Sequence, residues 1–93
     1  MIFKIEISEQ ADADLRGLFN YIAFELQSLN NARGQINRLE KSIMSLNQMP
    51  DRFRRYENEP WHSLGLRVMP VDNYCVLYVP NNEDAVVTVI RVM

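Results

Sequence analysis

Reactive and crosslinking residues are scarce in this chain of 93 residues, which has one cysteine, one histidine and three glycines. A single cysteine cannot close an internal disulfide, so nothing asks for an oxidising compartment, and the cytoplasm is the expected location. One Cys and one His leave too few soft ligands for zinc, and three scattered glycines build no phosphate-cradling loop. No metal and no cofactor is therefore expected. Any apolar run near the roughly 20 residues that span a bilayer is also missing. The N-terminal MIFKIEIS alternates apolar with polar residues where a signal peptide would hold a continuous apolar stretch, so no membrane association is expected. Nor is there a basic excess. The net charge is −2, whereas non-specific nucleic-acid binders draw most of their affinity from Lys and Arg displacing phosphate counterions.

What is present suffices for one small core. Hydrophobic residues make up 47% of the chain and aromatics 10%, in a length that supports a single domain over residues 1–93. The stretch FKIEI (3–7) alternates with period two and predicts a half-buried strand. Ser8 then caps a helix whose apolar residues Ala11, Leu15, Leu18, Phe19, Ile22 and Leu26 form one stripe over about five turns. After a polar break, Asn30 or Asn31 is placed to cap a second helix. There Ala32, Ile36, Leu39, Ile43 and Leu46 keep helical spacing until Pro50. Two stripes joined by a short connection imply an antiparallel helical hairpin. Residues 51–63 read as a loop. Strands are predicted at Leu64–Met69, Tyr74–Val79 and Ala85–Met93, separated by the turn compositions PVDN and PNNED. The order β-α-α-β-β-β predicts an α+β fold, with the helical hairpin on one face of a small, mostly antiparallel four-stranded sheet.

No catalytic constellation declares itself among the residues. A nucleophilic Cys75 would need His62 as its base, and thirteen positions and a loop separate them. Mid-strand, the thiol reads as a small hydrophobe, His62 as a loop residue and Trp61 as the anchor of that loop. Tyr74 and Tyr78 read as cross-strand packing. The acidic pairs Asp12 and Asp14, and Glu57 and Glu59, flank no evident cleft. Eight of the ten cations are Arg, the better residue for bidentate contacts to phosphate or carboxylate. Arg67 and Arg91 lie within strands, where a charge must emerge on the uncovered face or be paired. If both emerge there, they form a cationic patch with Arg54 or Arg55 of the RFRR run, suited to a phosphate or an acidic partner.

The segment GLRVMPVDNYCVLYVPNNEDAVVTVIRVM resembles the sheet half of the RelE/ParE toxins of bacterial type II toxin–antitoxin systems. The helical stretch from SEQADADLRGLFNYIAFEL to LNQMP is similar to that family's helical hairpin, so the resemblance spans essentially the whole chain. It implies a cytoplasmic growth inhibitor of the plasmid-stabilisation kind, neutralised by a cognate antitoxin whose tail wraps around it. Operator DNA would be reached only through that antitoxin. Two activities occur on the fold: RelE-like members cleave mRNA on the ribosome without metal, and ParE-like members bind and poison DNA gyrase.

In the family's nucleases one arginine follows the tyrosine of the third strand; here Cys75 follows Tyr74. Basic positions on the preceding strand fall near Leu66 and Val68, with Arg67 between them. The chain stops at Met93, without the Gly/Arg-containing tail that follows the last strand in relatives. The nuclease apparatus thus reads as incomplete, and the resemblance points to a ParE-like action by binding. The alternative is ribosome-dependent mRNA cleavage, with Arg67 and Arg91 on the phosphate and His62 or Tyr74 as acid or base. A third reading is a non-toxic domain that binds antitoxin.

Overall fold

The computed structural model describes all 93 residues. Strand β1 (Lys4–Ile7) leads into helix α1 (Glu9–Asn20). As the sequence predicts, Ser8 caps this helix: its hydroxyl oxygen accepts the Ala11 N–H at 3.0 Å, and Glu9 and Asp12 sit in the first turn. The same hydroxyl donates to the Ile90 carbonyl at 2.8 Å, tying the helix start to the last strand. Beyond Asn20 the helix does not continue regularly to Leu26. It widens into a π-helical turn at Tyr21–Glu25, which buries Ile22 and Ala23 against Ala32. After Gln27, in the left-handed region at φ 52°, helix α2 (Leu29–Met44) begins. Its cap is Ser28, whose hydroxyl accepts the Asn31 N–H at 3.4 Å, rather than Asn30 or Asn31. The helix ends before Pro50, in a three-ten turn at Ser45–Asn47. Arg52 closes that end by donating to the carbonyls of Gln48 (2.7 Å) and Met49 (3.1 Å).

Strands β2 (Arg67–Val71), β3 (Tyr74–Asn81) and β4 (Val86–Val92) complete a sheet of order β1-β4-β3-β2. The β1–β4 pair is parallel and the other two are antiparallel. β2 starts later than Leu64 and runs through Pro70, which an edge strand tolerates. The turn after it is Asp72–Asn73, with Asp72 at φ 55°. Its carboxylate accepts from Gln35 (2.9 Å) and Arg38 (2.8 Å), pinning this turn to α2. Outside β2, the Tyr56 N–H donates to Leu66 (2.7 Å) and Val68 donates to Arg54 (3.0 Å), so residues 54–56 cover that edge.

The helical hairpin lies on one face of the sheet. Ala11, Leu15, Leu39, Ile43 and Leu46 meet Met69, Val71, Val76, Tyr78, Val87, Val89 and Val92 in the main core. Tyr78 is fully buried and donates its hydroxyl to the Pro50 carbonyl. Burial pushes its phenol up to about 12. No helix is long and apolar enough to cross a membrane.

Candidate functional site

The face of the sheet turned away from the helices is apolar. Leu66, Val68 and Leu77 are buried there, with Cys75, Val79 and Ile90 packed against them. Strand alternation puts Leu77 and Val79 on this side while Val76 and Tyr78 point to the helices. A register shift at Leu77/Tyr78 lets β4 place Ile90 and Arg91 here together, opposite Leu77. Two hollows of about 440 Å³ and 270 Å³ lie on this face and share Tyr56, Leu77 and Met93, so they form one trough. The larger is walled by Trp61 and Leu64, which remain 48% and 61% exposed.

The loop before β2 positions those two side chains. The Glu59 carboxylate accepts the Ser63 N–H at 2.9 Å and also the Ser63 hydroxyl, folding the loop back on itself. The hydroxyl bond, more than the amide bond, holds the Glu59 carboxyl below the usual range. The trough therefore has a pre-formed wall carrying large apolar groups at its rim, the geometry expected of a protein-docking surface.

The arginines do not form one patch on this face. Arg67 is in register with Tyr78, so it points to the helix-covered side. Its Nη1 donates to the carbonyls of Phe53 (2.6 Å) and Asp51 (3.1 Å), and its Nε lies 3.6 Å from Asp51 Oδ1. Arg55 bridges with Arg67 and shares that side, whereas Arg54 lines the smaller hollow of the trough. Arg91 starts on the trough side and reaches around the free end of β4 to Asp14 of α1. Its Nε and Nη2 donate to the two carboxylate oxygens at 2.7 and 3.0 Å, and Asp14 also accepts the Val92 N–H at 2.9 Å. The Arg91 bond holds the Asp14 carboxyl below its ordinary range, and the same bond raises the guanidinium. The expected cluster of Arg67, Arg91, Arg54 and Arg55 is thus split between two faces. Three of its members stand in ion pairs: Arg54 lies 3.9 Å from Glu57 in its own loop, and the two strand charges, Arg67 and Arg91, each meet a carboxylate on another segment.

The acid–base candidates are dispersed too. Tyr74 packs against the main core on the helix side. His62 sits in the loop with Nδ1 3.5 Å from Glu59 and lines neither hollow of the trough. No group of three or more His, Cys, Asp or Glu side chains converges as metal ligands would. The trough residues Leu64, Leu77, Val79 and Ile90 were not singled out by motif reasoning. The signal was there in YCVLYV, where apolar residues occupy both alternating sets, the pattern of a strand covered on both faces.

A second apolar surface caps the far end of the helical hairpin, where Tyr21, Phe24, Leu26 and Leu29 are 47–70% exposed.

The family description "ParE toxin of type II toxin-antitoxin system, parDE" matches residues 5–93. No curated sequence is similar enough to count as a match. Among solved structures, a chain of the chromosomal ParDE system of P. aeruginosa superposes with a TM-score of 0.79 at 14% identity, covering 98% of this chain and 94% of that one. A chain of the toxin–antitoxin complex RelBE2 from Mycobacterium tuberculosis gives 0.68 at 18%, covering 100% and 91%. A mutant of the E. coli toxin RelE in the free state gives 0.65 at 19%, covering 99% and 82%. At these identities the structures speak for the fold alone.

Proposed function

The chain belongs to the ParE toxin family of type II toxin–antitoxin systems, and from that premise we propose that it arrests growth by binding a protein target. DNA gyrase, in the cytoplasm, is the target we favour, with a cognate antitoxin covering the binding surface until release. The observation that carries this reading is the apolar trough on the open sheet face, with Trp61 and Leu64 exposed at its rim. A surface of this kind gains free energy by excluding water against another protein. It offers little to a ribose-phosphate chain, which is held by unpaired cations. The nuclease reading finds less support in the geometry. It requires basic and acid–base groups around one scissile phosphate, and Arg67, Arg91, His62 and Tyr74 are separated by the sheet and the loop.

The test is induction of the chain without antitoxin, beside a variant carrying Trp61→Ala and Leu64→Asp. Trp61 is about half exposed and Leu64 more so, so the variant keeps its melting temperature within a few degrees. The wild type is expected to stop growth and inhibit supercoiling by purified gyrase while pulse-labelled protein synthesis continues for the first minutes. The variant is expected to do neither. An immediate collapse of protein synthesis would transfer the activity to the ribosome, and a variant as toxic as the wild type would remove the trough from the mechanism.

A further inference from the structure

Of the two edges of the sheet, that of β1 is the more open, because beyond residues 54–56 the β2 edge carries Pro70, which has no N–H to offer. Residues 54–56 lie along β2, whereas nothing pairs with the outer side of β1 beyond Phe3, whose N–H donates to Asn47 at 2.8 Å. The Lys4 and Ser8 amides donate inward, to Ala85 and Val89 of the β4 segment. By alternation, the Ile5 and Ile7 amides point away from the sheet. An open edge is usually blunted by a bulge, a proline or charges of one sign. This one instead carries one charge of each sign, Lys4 and Glu6, on the same side of the strand with Nζ 3.8 Å from Oε1. Both are exposed, and Ile7 beside them is 43% exposed.

A strand reading Lys-Ile-Glu is complementary to an antiparallel copy of itself. With a two-fold axis through Ile5, the two Ile5 residues exchange N–H···O bonds, and each Lys4 stands opposite Glu6 of the second copy. Moving the axis to Glu6 or to Lys4 sets like charges against each other, so charge selects a single register. The Phe3–Asn47 bond keeps the new ladder short, spanning Lys4 to Glu6. We propose that β1 pairs in this way with β1 of a second copy of the chain, joining two four-stranded sheets into one of eight strands. The axis then runs perpendicular to the sheet. Both helical hairpins fall on one side and both apolar troughs on the other, presenting two docking faces in the same direction.

Sedimentation equilibrium on the purified full chain tests this. The wild type should associate to a dimer. Lys4→Glu and Glu6→Lys each replace two attractive cross-strand pairs by two repulsive ones and should weaken the dimer about tenfold or more. The double variant with both changes exchanges the charges and should restore wild-type association. All four proteins should share one circular dichroism spectrum, since both side chains are exposed. A wild type that stays monomeric up to its solubility limit overturns the proposal, as do single variants that dimerise like the wild type. So does a monomer whose Ile5 and Ile7 amides become protected from hydrogen exchange only when the antitoxin is added, which would assign the edge to that partner.

Discussion

Asp14 shows most sharply how position in the fold rewrites a residue's meaning. In the sequence it is one of two carboxylates in a helical turn; in the structure it holds the end of β4 by three hydrogen bonds. Its folded-state acidity lies on the strong side of the ordinary value of 3.8, chiefly through the bond from Arg91. A carboxylate so depressed contributes stability that is fully present above its unfolded pKa and is lost as pH falls through that value and below. Asp14→Asn should therefore lower stability at neutral pH, leaving the wild type and variant closer together near pH 2. Thermal melts of both proteins from pH 7 downward measure that difference, and an unchanged gap across the range would refute the assignment. Arg67 follows the same logic on β2, at the opposite edge of the sheet from β1. A strand arginine with acidic and carbonyl neighbours is a structural tie, and the cationic patch that its sequence position suggested is dispersed for that reason.

Among the elements, α1 illustrates what periodicity conveys and what it misses. Its cap, first turn and buried Ala11 and Leu15 follow directly from Ser8 and the apolar spacing. The change to a π-helical turn at Tyr21 was not legible, because the stripe from Leu18 to Leu26 fits an ordinary helix equally well. What decides it is how Ile22 and Ala23 seat against Ala32 of the second helix. Gly17 sits within α1, and a methyl group built on it meets nothing within 4 Å. Gly17→Ala should therefore raise stability by about 0.5–1 kcal/mol, the usual gain in an exposed helix interior. Denaturant unfolding with an unchanged m-value measures it; a loss of stability would mean that this face of the helix is covered in solution.

Across the whole molecule, the helix layer and the sheet share one core, and Leu39 is at its centre with no exposed surface. Leu39→Ala should cost about 2–5 kcal/mol, a large share of the stability of a domain this small. Because the same core holds the sheet whose far side forms the trough, this variant should lose the proposed growth arrest together with its fold. The Trp61 and Leu64 changes, in contrast, should separate the two.

Local order is what the chain carries within itself. The succession of elements, the two apolar helix stripes and the strand-rich second half all follow from spacings a few residues long, and they sufficed for the α+β class and the family resemblance. Sidedness and partnership lie beyond that range. Which face Arg67 takes depends on strand register. The pairing of β1 with β4 depends on the hairpin crossing between residues some eighty positions apart. The trough requires β3 and β4 to be apolar on both faces and a loop to raise Trp61 and Leu64 beside them. Each is settled by contacts between distant segments, and a spacing rule registers only neighbours along the chain.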